Sequence, residues 1–176
     1  MAGQISFRPV TADDLPLLAG WMETPHWRDW WGDPGEELDH IRDMVAGRDS
    51  TEPWLIVLDG VEVGYIQVWY IADQRFEPWL TQAPWLMWLP DHAVGVDLSL
   101  GPARLLGRGV GSAALRAFVA ILRGRGHDFI IIDPDPANGR AVRAHEKAGF
   151  RLLPELAGRT HDCVILRHQG ADQPAG

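Results

Sequence analysis

Apolar and polar positions alternate from the start of the chain, with Ile5, Phe7 and Val10 set against Ser6 and Arg8, which predicts a strand over 5–10. Thr11 follows with Asp14 three residues on, a variant of the capping box that opens a helix. Leu15, Leu17, Leu18, Trp21 and Met22 then recur at helical spacing, and Pro16 sits in the first turns, where proline is tolerated. The stretch 35–47 predicts a second helix with an acidic start. Two β-rich runs, 54–58 and 62–70, flank Asp59-Gly60, a strong hairpin signal. From 71 to 90 the pattern dissolves into an irregular aromatic segment, of a length that is usually functional in a compact domain. Periodicity returns with a strand at 92–100, a glycine-rich turn and a long helix from 109 to 123. A short buried strand at 129–132, a helix at 138–148 capped by Gly149, and strands at 150–153 and 163–167 complete the series. The order β-α-α-β-β-β-α-β-α-β-β describes one mixed α/β domain over 1–170, with no repeat or linker, and 171–176 read as a flexible tail.

Composition narrows the class. The 176 residues suit a single domain with a substantial core, and 46% hydrophobic and 23% charged residues are ordinary for a globular protein. No apolar run approaches the roughly 20 residues that span a bilayer, and the first residues lack the pattern of a signal peptide. One cysteine, Cys163, excludes an internal disulfide and suits a reducing, cytoplasmic compartment. It lies in the apolar stretch CVILR and reads as a buried strand residue rather than a nucleophile. A net charge of −8 argues against a nucleic-acid partner and favours cationic ones. The histidines show no metal-ligand spacing and CxxC is absent, so no metal is expected.

Nine tryptophans are many for this length. Trp27, Trp30 and Trp31 form one cluster and Trp79, Trp85 and Trp88 another, both among prolines, glycines and acids, a composition of loops. Either they pack the core or they build an aromatic wall beside carboxylates, which suits a polycationic or sugar-like ligand.

The sharpest local signal is Leu105-Leu106-Gly107-Arg108-Gly109-Val110-Gly111-Ser112, set between a strand and a helix. Its glycines let the backbone approach a ligand, free amides at a helix start bind phosphate, and Arg108 adds a cation. No Gly-Lys-Ser/Thr follows, which excludes a Walker loop, and the spacing GxGxG departs from the dinucleotide fingerprint GxGxxG.

The segment LLGRGVGSAALRAF resembles the pyrophosphate loop and helix of the GNAT superfamily of N-acetyltransferases. Gly109 and Gly111 match the glycines of its Gln/Arg-x-x-Gly-x-Gly/Ala pattern, while Leu106 stands where Gln or Arg is usual. Downstream, IIIDPDPANGRAVRAHEKAGF matches a strand, an Asn-led helix at Asn138 and the AGF ending at Ala148-Gly149-Phe150. The resemblance implies an α/β GNAT fold, a mixed central sheet with splayed middle strands flanked by about four helices. It implies acetyl-CoA as co-substrate, held by Leu98, Leu100, the segment 106–112 (Leu106, Gly107, Arg108, Gly109, Val110, Gly111, Ser112) and Asn138. Further segments, Asp29-Trp30-Trp31-Gly32, Gly64-Tyr65-Ile66-Gln67, Gly95-Val96-Asp97 and Asp133-Pro134, resemble aminoglycoside 6′-N-acetyltransferases. Siderophore-building N-acyltransferases share part of that pattern, including the Trp-Trp element.

Chemistry singles out the acids. An amine arrives as an ammonium and must lose a proton before it attacks a thioester, and Asp97 interrupts the apolar run AVGVDLSL where a carboxylate is costly unless paired or functional. Asp97 is therefore the candidate base; the other reading is a solvent-facing residue or a partner for Arg104. Asp133, after FIII at another strand end, either binds a second ammonium or caps the proline-rich turn. His145 occupies the position at which the family commonly places a Tyr that protonates the leaving thiolate; the alternative is a surface helix residue. The expected acceptor is a small cationic amine such as an aminoglycoside, bound by Trp30, Trp31, Tyr65, Gln67, Trp79, Trp85, Asp97 and Asp133. The rival activities are acylation of a siderophore precursor, polyamine or peptide, and acyl-CoA sensing without catalysis. The protein is expected as a monomer or homodimer.

Overall fold

The structure, a computed structural model, describes residues 3–170, so the predicted tail at 171–176 lies outside the described residues. Seven strands form one sheet in the order β1-β2-β3-β4-β5-β7-β6. These are β1 (Ile5–Pro9), β2 (Glu52–Leu58), β3 (Val61–Tyr70), β4 (Val94–Leu100), β5 (Ile130–Ile132), β6 (Phe150–Leu152) and β7 (Leu166–His168). All pairings are antiparallel except β4 with β5. The Asp59-Gly60 hairpin forms as expected: Leu58 faces Val61 across it, and both turn residues take positive φ.

Helices cover both faces. On one side α5 (Val110–Gly124) packs Leu115, Phe118 and Leu122 onto Ile56, Ile66, Val68, Val94 and Val96. On the other, α1 (Leu15–Met22), α2 (Pro25–Trp31) and α3 (Pro34–Val45) bury Leu18, Met22, Trp27 and Ile41 against Leu55 and Tyr65. Period-two alternation explains the division: Ile66 and Val68 look towards α5, while Tyr65 looks towards α1–α3. A third cluster, around Ile71, Trp85, Leu86, Ile131 and Ile165, lies beneath the aromatic segment. The remaining helices are α4 (Trp79–Gln82) and α6 (Gly139–Lys147).

Several boundaries differ from the sequence pattern. Among the described residues the four expected helices are present, and two short ones, α2 and α4, are added to them. The Trp27–Trp31 stretch is helical, not a loop: Pro25 at its first turn starts α2, and Trp27 is fully buried. Residues 71–90 hold two 3-10 turns and α4, tied together by Arg75, which donates to the carbonyls of Leu86 and Leu89 and pairs with Asp91. Cys163 precedes β7 instead of opening it.

The central strands separate. β4 pairs with β5 only at Val94↔Ile130 and Gly95↔Ile131, after which β4 runs on to Leu100 beside β3 alone. Residues of α2, α3 and α6 border the opening between the strands.

Candidate active site

Register builds the site. Gln67 lies opposite Asp97 across β3 and β4. Gly95 is level with Ile131, so two residues on, Asp97 and Asp133 emerge on the same face where the strands part. Gln67, Asp97 and Asp133 thus form one row across three strands. A second row, Trp69, Gly95 and Ile131, adjoins it.

Hydrogen bonds orient the first row. The fully buried Tyr65 hydroxyl donates to Gln67 Oε1 at 2.6 Å, which turns the amide so that Nε2 donates to Asp97 Oδ2 at 2.9 Å. Burial pushes the Tyr65 hydroxyl well above its usual range, so it remains a donor. Asp97 accordingly bonds to Gln67, not to Arg104. Burial raises both Asp97 and Asp133, and Asp133 is raised further by the Asp97 charge. Donation from Gln67 favours ionised Asp97, which leaves the proton of the pair on Asp133.

This row floors a cleft of about 440 Å³. Its walls include Trp30, Trp31, Trp79, Trp85, Glu37 and His40, with Trp31 packed edge-on to Tyr65 at 5.8 Å and Trp79 edge-on to His40 at 6.0 Å. Five carboxylates line it, on Glu37, Asp49, Asp97, Asp133 and Asp135, and no lysine or arginine does. Burial, together with the Asp97 and Glu36 charges, lifts Glu37 to about 7. Of the residues expected to bind the acceptor, Tyr65 does not line the cleft: it is fully buried and acts on the site through Gln67, while the two tryptophan clusters divide, with Trp88 outside under the Arg159 guanidinium at 4.3 Å and Trp27 in the core.

Helix α6 supplies the far wall. Asn138 caps it, accepting from the Ala141 amide at 3.2 Å, and His145 projects inward. His145 is buried, its Nδ1 has no hydrogen-bond partner among the described residues, and burial lowers it to about 4. It is therefore a neutral imidazole near pH 7, not a surface residue and not an imidazolium acid. Burial, the largest cause, raises Cys163 to about 12, so its thiol is not a nucleophile.

The 106–112 segment leads into α5. Gly109, at φ +81°, is the helix N-cap in the left-handed region. Among the described residues, the amides of Gly109, Val110, Gly111 and Ser112 donate to no acceptor, and Arg108 is exposed without an ion pair. Leu106 instead spends its amide on Ala103. Leu98 lines the cleft, whereas Leu100 turns into the core and its carbonyl bonds His26. Among the described residues no group of three or more His, Cys, Asp or Glu is placed to hold a metal ion. None of the described helices is long and apolar enough to cross a membrane.

Residues 10–157 match a family model described as an acetyltransferase (GNAT) domain. The chain belongs to the GNAT acetyltransferases. Among its relatives is the aminoglycoside N(6′)-acetyltransferase type 1 of Klebsiella pneumoniae, 33% identical over 83% of this chain and 73% of that protein. Another is the lysine N-acyltransferase MbtK of Mycolicibacterium paratuberculosis, 26% identical over 85% of this chain and 66% of that protein. A solved structure of AAC(6′)-Ib in complex with parmomycin and acetyl-CoA aligns with a TM-score of 0.79 at 25% identity, covering 98% of this chain and 99% of that one.

The free amides fit a pyrophosphate. Four unspent donors at the start of a 15-residue helix, beside one exposed guanidinium, meet an anion of that kind. The sequence pattern overlooked Glu37, His40 and Trp69 as cleft residues. Only Trp69 carried a signal, since it follows Tyr65 and Gln67 at period two.

Proposed function

We propose that this GNAT enzyme transfers the acetyl group of acetyl-CoA to a primary amine of a polycationic acceptor, the 6′ amine of an aminoglycoside. The observation that carries the reading is the cleft at the splay, which is walled by tryptophans, lined by five carboxylates and free of lysine and arginine. Such a site concentrates cations and rejects anions. Aromatic faces add cation–π and stacking contacts to an aminated sugar. The similarity to an aminoglycoside N(6′)-acetyltransferase points the same way.

When bound, acetyl-CoA supplies an acetyl group already activated as a thioester. The amides of 109–112 and Arg108 hold its pyrophosphate. Asp97, fixed by Gln67 and Tyr65, orients the incoming ammonium and accepts its proton directly or through water. Asp133, carrying the proton of the pair, hydrogen-bonds the acceptor or ionises to meet a second ammonium. His145 acts as a neutral N–H donor to the sulfur, which suits its lowered basicity. A single cysteine, Cys163, and a thioester co-substrate fit a cytoplasmic enzyme.

Thiol release with acetyl-CoA, measured across kanamycin, spermidine and lysine hydroxamate, tests the acceptor. Turnover with kanamycin at a kcat/KM at least tenfold above the other two is the expected outcome. A preference for the lysine derivative would move the activity to that of the MbtK relative. Tight CoA binding without turnover on any amine would remove the enzymatic reading altogether.

A further inference from the structure

Trp69 stands in the row next to the proposed base, and two features of it are unexplained by packing alone. First, its ring lies flat over Gly95: a Cβ on Gly95 would sit 2.1 Å from Trp69 Cε2 and 2.7 Å from Nε1. Glycine at 95 is therefore required by the indole, in a strand where the neighbouring positions Val94 and Val96 are β-branched. Second, the indole Nε1 is buried and bonds to no acceptor among the described residues. A buried donor left unspent is costly, and the indole borders the cleft together with Asp97.

We propose that Trp69 is a positioning residue for Asp97: its indole N–H, unspent in this structure, closes on the carboxylate as a second donor beside Gln67 Nε2, and Gly95 exists to admit the ring. The inference rests on Asp97 being the base of the proposed reaction. Geometry carries it: Gln67 faces Asp97, Trp69 faces Gly95, and Gly95 and Asp97 share one face of β4 two residues apart. The indole also favours the ionised form of Asp97, as Gln67 does. The other groups around Asp97 divide. Glu37 on α3 works against ionisation, Tyr65 on β3 spends its hydroxyl on Gln67, and the proton held on Asp133 beyond β5 favours the Asp97 charge. The amide and the indole N–H add donors that do not depend on the proton shared by the acids, and Trp85 packs against the indole with ring centroids 6.5 Å apart and planes tilted by 60°.

The substitution Trp69→Phe keeps a ring and deletes the donor. Its predicted effect is on the acid limb of kcat/KM for the acceptor, which moves up by about one pH unit, so activity at the foot of that limb falls roughly tenfold while the high-pH plateau changes little. Gly95→Ala, which displaces the ring without removing it, shifts the limb in the same direction. In an Asp97→Asn background Trp69→Phe costs nothing further, because the indole N–H no longer faces a charged acceptor. A probe of the unsubstituted enzyme complements these: the Trp69 indole 15N–1H resonance titrates with the midpoint of the acid limb and stays fixed in Asp97→Asn. An acid limb superimposable on that of the parent in Trp69→Phe, or an indole resonance that ignores pH, overturns the clamp. The base reading itself fails separately, if Asp97→Asn retains full turnover.

Discussion

Gly109 and Gly111 stand two residues apart in the same glycine-rich segment, and alanine is predicted to act on them with opposite sign. At both positions an added Cβ meets nothing within 4 Å, so crowding is not a factor. What differs is the backbone. Gly109 is at φ +81°, in the left-handed region, and Gly111 lies in the first turn of α5 without positive φ. A Cβ in the left-handed region costs about 1–2 kcal/mol. In a helix, alanine is favoured over glycine by about 0.5–1 kcal/mol. For a chain of this size each kcal/mol moves Tm by about 2–4 °C. Gly109→Ala should therefore melt roughly 2–8 °C lower and Gly111→Ala about 1–4 °C higher than the parent. Ligand binding should separate too. Relief of strain at 109 rotates the amides of the helix start, weakening CoA by roughly tenfold, about 1.4 kcal/mol. Gly111→Ala leaves those amides in place and should hold CoA within about threefold. Thermal melts and calorimetric titration with CoA read both quantities. A Gly109→Ala protein as stable as the parent would refute the conformational argument. Equal loss of CoA affinity in both variants would show that ligand approach, not φ, demands the glycines.

Three further outcomes follow from the site and its supports. His145→Phe should lower kcat about tenfold without moving the pH profile between 6 and 9, since an imidazole held at about 4 is uncharged throughout that range; a displaced midpoint in rate-versus-pH data would contradict this. Asp14 is lowered from the ordinary 3.8 to about 2, chiefly by its bond to Arg8, so it stabilises the fold above about pH 4 and that contribution fades as pH falls towards 2. Asp14→Asn should cost about 1–2 kcal/mol in denaturant unfolding at pH 7, and the gap to the parent should shrink to a few tenths (~0.4 kcal/mol) by pH 2. Trp79→Ala should raise the acceptor KM about 3–10-fold and leave CoA affinity unchanged, because the ring borders the cleft and not the 106–112 segment.

The sheet was legible wherever one face is buried. Alternation puts Tyr65, Gln67 and Asp97 on one face of β3 and β4, because period two leaves no freedom once Ile66, Val68 and Val96 must face α5. The glycine segment, Asn138 and the strand end at Asp133 were likewise visible as local chemistry. What stayed hidden depends on three-dimensional neighbours. Pro25, Trp27, Trp30 and Trp31 have the composition of a loop, and only the packing of Trp27 against Trp31 and Tyr65 makes them a helix. Glu37 looks like one acid in an acidic helix start, and its place in the cleft follows from how α3 crosses the sheet. His145 read equally well as a surface residue, since neighbouring Glu146 and Lys147 are exposed. The two aromatic clusters were read as units, yet each divides: Trp30, Trp31, Trp79 and Trp85 reach the cleft, and Trp27 and Trp88 do not.

The central claim is that Asp97 takes the proton of a cationic amine in a cleft built for polycations. Its most direct test is the kcat/KM for kanamycin of the parent and of Asp97→Asn, measured by thiol release from pH 5.5 to 9 with CoA affinity measured in parallel. General-base assistance is worth about 10²–10⁴-fold, so the variant should lose at least a hundredfold, lose the acid limb of the profile, and bind CoA as the parent does. An Asp97→Asn enzyme with the parent's activity and the parent's acid limb would contradict the account.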